Sequence, residues 1–191
     1  MARIPMNRPT GTTGGWNYSE YARLPDDGNR YEVLDDEVLV TPGPTPHHQK
    51  IVQRLLVRLL AHFEVTGIGI VLQDVDLLFA PGQFLRPDLV VVRDEDRTGI
   101  TERGVEVPPW LVAEILSPSS RTIDFVKKPY RHLEFGVPAY WVVDPPEATL
   151  WVWDRRSGAD APRRETGTFT WKLDDGTPPF ELDVAALVAP L

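Results

Sequence analysis

Three short, nearly unbroken apolar runs constrain this fold more than any other feature: residues 88–92 (DLVVV), 110–116 (WLVAEIL) and 139–144 (AYWVVD). A strand that faces water on one side alternates apolar and polar residues. Runs without alternation, as around Val90 and Val112, belong to central strands covered on both faces. One cover is legible at residues 47–63, where Ile51, Val52, Leu55, Leu56, Leu59, Leu60 and Phe63 recur at helical spacing. A second helix is expected near 121–135, with Pro129 in its first turns or at a kink. The alternation of helices and strands gives an α/β fold class, a mixed central β-sheet flanked by helices.

The remaining elements are shorter. Residues 18–24 read as a short helix with Ser19 as N-cap. Residues 31–40 read as a hairpin turning at Asp35-Asp36. Residues 67–80 form one extended stretch, long enough to bend or to pair with two neighbours. Residues 93–109 are polar and loop-like, 168–173 suggest an edge strand, and the chain closes with a short helix. The length of 191 residues suits a single domain, 18–191, behind a flexible N-terminal tail, 1–17. The absence of cysteine excludes disulfides, thiolate zinc sites, iron–sulfur clusters and a cysteine nucleophile. No apolar run approaches the roughly 20 residues of a membrane helix, so no membrane association and a cytoplasmic location are expected. A net charge of −8 gives no global attraction to nucleic acid. Binding to DNA therefore needs a local basic patch. There is no glycine-rich phosphate loop, nucleophile elbow or dinucleotide fingerprint.

Glu114 is the most informative residue. In a strand it shares a face with Val112 and Leu116. A carboxylate there must be paired or bind a metal. One reading is a buried salt bridge to Arg86 or a lysine. The other is a hard-cation site shared with Asp88, which heads a second apolar strand; magnesium takes such oxygen ligands. Lys127 and Lys128, with Asp124 nearby, are either a charge cluster on a helix surface or a fixed positive charge beside that site. Asp74 and Asp76 share a strand face and either join the acidic site or face solvent. Lys50, Arg54 and Arg58 form a basic stripe, either a solvated face or a set of phosphate contacts. His48 lies on the apolar side of its helix, where a capping or core histidine is the plainer reading.

The segments YEVLDDEVL (31–39), HQKI (48–51), RPDLVVV (86–92), PWLVAEILSPS (109–119), Asp124-x3-Lys128 and GVPAYWVVD (136–144) together resemble the Uma-two family. That family is described as putative restriction endonucleases and lies within the PD-(D/E)XK nuclease superfamily. The resemblance spans roughly residues 18–190. It implies a restriction-endonuclease-like core and hydrolysis of DNA phosphodiester bonds, with Mg2+ or Mn2+ as cofactor. Asp88 and Glu114 would be the metal ligands. The superfamily lysine normally follows two residues after the acid, but Leu116 stands there. Lys128 on the next helix takes its place, positioning the attacking water. Glu32 falls on the early glutamate and His48 on the histidine at the helix start. Lys50, Arg54, Arg58, Arg121, Lys127 and Arg131 are the candidate DNA contacts. Enzymes of this kind are commonly paired, so a homodimer is expected. The alternative is a non-catalytic protein that keeps the nuclease fold as an assembly or binding module.

Overall fold

The computed structural model describes residues 15–118, 120–158, 161–172, 174 and 176–191. Its helices are α1 (Tyr18–Tyr21), α2 (Pro46–Leu59), α3 (Lys128–Glu134) and α4 (Val184–Val188). Its strands are β1 (Asn29–Leu34), β2 (Glu37–Pro42), β3 (Gly69–Gln73), β4 (Leu77–Ala80), β5 (Gln83–Leu85), β6 (Leu89–Arg93), β7 (Ile100–Thr101), β8 (Gly104–Val105), β9 (Leu111–Ile115), β10 (Ala139–Asp144), β11 (Thr149–Asp154), β12 (Arg163–Glu165), β13 (Thr168–Trp171) and β14 (Phe180–Asp183).

The central sheet runs β12-β11-β10-β9-β6-β3 and is mixed, since β9 and β10 are parallel and every other pair antiparallel. Its middle strands are buried on both faces, as the unbroken apolar runs demand. Leu89, Val91, Leu111, Ala113, Ile115 and Trp141 pack one face against α2, α4 and the β13–β14 pair. Val90, Val92, Val112, Leu116, Tyr140 and Val142 pack the other against Leu34, Leu77 and Leu85, with Ile123, Phe125 and Leu133 at its edge.

A second six-stranded sheet, β2-β1-β5-β4-β8-β7, supplies most of that second cover where helices alone were expected. It arises because residues 67–80 do not stay one strand. Asp74 adopts a left-handed conformation (φ 53°) between β3 and β4, and the two halves join different sheets. The polar stretch 93–109 also contributes, through the small β7–β8 hairpin. The expected hairpin at Asp35-Asp36 is present. Both aspartates have positive φ (54° and 63°), the twist that a tight two-residue hairpin requires. Residues 168–171 form no edge of the central sheet; they pair with β14 instead. Residues 1–14 of the expected tail lie outside the described residues. Trp16 is buried with Tyr21, Val33 and Phe84, and Asn17 rather than Ser19 caps α1. Packed structure therefore begins before residue 18.

Ahead of α3 the helix is wound wide. Residues Ile123–Lys127 form a π-turn, in which the Lys128 N–H donates to the Ile123 carbonyl. Pro129 has no N–H to continue an ordinary ladder, and a wider turn absorbs the loss.

Candidate active site

Register brings the two key acids together. In the antiparallel β6–β9 pair Leu89 faces Ala113 and Val90 faces Val112, so the next step places Asp88 opposite Glu114. The Asp88 N–H donates to Glu114 Oε2 at 3.3 Å, and the Ile115 N–H donates to Asp88 Oδ2 at 2.8 Å. Both carboxylates are buried and both border a cleft of about 420 Å³ between α2, the β1–β2 hairpin and the loop after β9.

Lys128 is 2% exposed. Its ammonium sits among three carboxylates: Glu114 Oε1 at 2.8 Å, Glu32 Oε2 at 2.9 Å and Asp124 Oδ1 at 2.9 Å. Asp124 is one helical turn earlier, and the π-turn lies between the two. The salt bridge expected as one reading of Glu114 thus exists, to a lysine and not to Arg86. The Arg86 side chain holds Asp76 (2.9 Å), while its backbone N–H donates to Glu32 Oε1 (2.8 Å). Burial opposes the charge on Lys128, but Asp124, Glu114 and Glu32 outweigh it and hold the ammonium well above its ordinary pKa. Burial, then the neighbouring acids, raise Glu114 well above the carboxylate range against the pull of Lys128. Asp88 moves the other way. Burial is outweighed by His48, Arg30 and the Ile115 N–H, and its pKa falls to about 2.

His48, the third residue of α2, stands over Asp88. Its Nε2 lies 3.1 Å from both Asp88 Oδ2 and the Ile115 carbonyl oxygen. Two acceptors at that distance require the hydrogen on Nε2. Arg30, which the sequence reading passed over, closes the other side: Nη1 is 2.9 Å from Asp88 Oδ1 and Nη2 is 3.1 Å from Asp74 Oδ1. The alternation Arg30-x-Glu32 was its one sequence signal, since both side chains then leave β1 on one face. His132 is fully buried behind Lys128 and stacks on Tyr140 at 4.8 Å. Burial and then the Lys128 charge hold it neutral.

The structure therefore brings Glu32, Asp88, Glu114, Lys128 and His48 to one cleft. The expected DNA contacts scatter. Arg121 follows Ser120, which lines the cleft, and pairs with Asp144 (2.8 Å). Lys127 pairs with Glu37, and Arg131 with Asp35 and Glu134. Lys50, Arg54 and Arg58 line a separate depression against α4. Arg54 donates there to the carbonyls of Leu187 (3.0 Å), Ala189 and Pro190 (3.3 Å). Arg54→Ala strips these charge-assisted bonds from the chain's last carbonyls. We expect a loss of about 1–3 kcal/mol in urea unfolding.

Among the described residues no group of three or more His, Cys, Asp or Glu side chains stands ready-made for a metal ion. Each acid carries a protein cation instead, Lys128 against Glu114 and Arg30 against Asp88. In kind the donors still fit a hard divalent ion. Asp88, Glu114 and the Ile115 carbonyl offer oxygens at the cleft.

Among the described residues no helix is long and apolar enough to cross a membrane. No curated protein matches the chain. A solved structure titled a putative nuclease belonging to DUF820, from Anabaena variabilis ATCC 29413, superposes with a TM-score of 0.72 at 19% identity, covering 90% of this chain and 96% of that one. At that identity the likeness establishes the fold: a mixed α/β nuclease fold. The model of the Uma2 family, described as "putative restriction endonuclease", matches residues 18–185, and a match over that much of the sequence places this chain in the Uma2 family.

Proposed function

We propose that the protein is a divalent-metal-dependent endonuclease that hydrolyses DNA phosphodiester bonds at the Asp88–Glu114 cleft. One observation carries the reading: two acids 26 residues apart are hydrogen-bonded across adjacent strands, with a buried ammonium 2.8 Å from one of them. Asp88 and Glu114 would hold Mg2+ or Mn2+. When bound, such an ion lowers the pKa of water and offsets charge on a phosphoryl oxygen. Lys128, kept charged by its three acids, is no base. It supplies a fixed positive charge that orients the water for in-line attack, and Glu32 holds it from the far side. His48 keeps Asp88 Oδ2 and the Ile115 carbonyl in place. The N-terminus of α2, capped by Thr45, opens on the cleft and favours an anion there. Of the expected DNA contacts, Arg121 follows the cleft residue Ser120, Lys127 ends the π-turn and Arg131 lies on α3. Cutting a duplex needs two sites, so the working form is a homodimer, in the cytoplasm.

The expected result is nicking of supercoiled plasmid in Mn2+ or Mg2+ and none in EDTA. Purified protein inactive under every divalent ion would sink the assignment. A second reading has its own support. Every oxygen of Asp88 and Glu114 already accepts from a protein donor, so the cleft is stable as a purely structural ion-pair network. That non-catalytic module would show no metal affinity by titration and no DNA retention at low salt.

A further inference from the structure

The two oxygens of Asp88 are held unequally. Oδ2 accepts from the Ile115 N–H and lies against His48, while among the described residues Oδ1 has Arg30 alone. Both oxygens of Glu114 are held by buried donors, Lys128 and the Asp88 N–H. Of the four carboxylate oxygens of Asp88 and Glu114, Asp88 Oδ1 is thus the one whose single donor is a partly exposed side chain; Glu114 Oε1 is freed only by moving the buried Lys128.

That side chain is placed to move. Arg30 keeps 19% of its side-chain surface exposed, whereas Asp88 keeps 2%. It stands at the seam between the main cleft and a smaller one of about 170 Å³ lined by Gly28, Asn29, Gln73 and Asp74. Its second partner, Asp74, has a side chain 54% exposed on a main chain tied to the Asp88 carbonyl by its N–H at 3.2 Å. Because Arg30 lines both clefts, a guanidinium that keeps Asp74 and leaves Asp88 has open space to turn into. A guanidinium is always charged, and its forked donors match a phosphate as well as they match a carboxylate.

Building on the nuclease reading above, we propose that Arg30 is an exchangeable counter-ion. It neutralises Asp88 while no divalent ion is bound; when the ion takes Asp88 Oδ1, the guanidinium, still anchored on Asp74, turns into the cleft and grips the substrate phosphate. An ion on Asp88 Oδ1 repels the guanidinium that competes for the same oxygen, and the displaced donors need a new acceptor, which the phosphodiester supplies. Arg30 would then couple metal binding to DNA binding.

Two titrations test this on wild type, Arg30→Gln and Arg30→Lys. The first is calorimetric titration with Mn2+. Removing the competing charge should tighten Mn2+ binding about ten- to a hundredfold, well short of the Coulomb limit for a unit charge at contact. The second is fluorescence anisotropy of a short labelled DNA duplex, in Ca2+ and in EDTA. Arg30→Gln should weaken DNA binding about tenfold or more in Ca2+ and by a clearly smaller factor in EDTA, where Arg30 is tied to Asp88. Arg30→Lys keeps the charge but cannot span both aspartates. It should fall between the other two in each titration, and it carries the test if the glutamine variant does not fold. Mn2+ affinity that is unchanged or weaker in the variants overturns the exchange, and so does a loss of DNA affinity that is equal in Ca2+ and EDTA. If wild type binds Mn2+ and nicks DNA while the variants behave like it, only the role of Arg30 falls. If wild type binds no Mn2+, the nuclease reading falls with it.

Discussion

Asp88→Asn should lower the proposed divalent-dependent nicking by on the order of a thousandfold while leaving a folded protein. The amide keeps the shape of the carboxylate and an oxygen for the Ile115 N–H, the shortest of the bonds that seat it (2.8 Å). What disappears is the negative charge that His48 and Arg30 hold at a pKa of about 2. The same charge makes a second, independent prediction. An aspartate depressed from an unfolded value of about 3.9 stabilises the native state above that value. The contribution is lost as pH falls toward the folded one. Wild type should therefore exceed Asp88→Asn by about 2 kcal/mol in urea unfolding at pH 7, and the gap should close between about pH 4 and pH 2. A gap of equal size at pH 3 and pH 7 would mean that the charge is not what stabilises. Nicking that survives the substitution would remove Asp88 from the chemistry whatever the stability shows.

The parts of the site that were legible in the sequence are those where local pattern and long-range structure agree. Glu114 is conspicuous because four apolar neighbours in a strand leave a carboxylate nowhere to hydrate. The Asp124-x3-Lys128 spacing puts both on one helix face, and the structure pairs them at 2.9 Å. Arg30 was missed for the opposite reason. Arginine near a strand end beside a glycine turn looks like ordinary surface, and its partner lies 58 residues away. Arg54 was misleading in the same way. Its helical spacing from Lys50 and Arg58 suggests a basic stripe, but it is taken by carbonyls more than 130 residues on. Beyond the β1–β2 hairpin, the second sheet was hidden because its strands are short. Gln83–Leu85 has only three residues, too few for any periodicity, and the break at Asp74 depends on a left-handed residue that is not glycine.

Lys128→Met is the largest stability effect we expect, and pH identifies its cause. The side chain fills the same space, so packing changes little. Three carboxylates, however, lose the ammonium 2.8–2.9 Å from each of them where all four side chains are almost wholly buried. Breaking a buried ion pair from one side costs about 3–5 kcal/mol, and that is the expected loss at pH 8. In wild type the lysine is raised above its unfolded pKa of about 10.4. Its contribution is therefore complete across the neutral range and fades only as pH climbs through the folded value. Glu114, also raised, obeys the reverse rule for an acid. The folded state holds a proton that the unfolded state releases, so stability grows as pH falls toward about 4.3. Without Lys128 that rise is steeper, and the deficit of the variant should shrink by half or more between pH 8 and pH 5. Lys128→Met combined with Glu114→Gln should be more stable at pH 8 than Lys128→Met alone, because one of the stranded charges is gone. A deficit that ignores pH, or a double variant worse than the single, would show that the ammonium is not the counter-charge of this cluster. Nicking read on the same variant separates the two roles of the residue. If the protein is destabilised as expected yet cuts at the wild-type rate under conditions where it is folded, Lys128 holds the acids together and takes no part in the reaction.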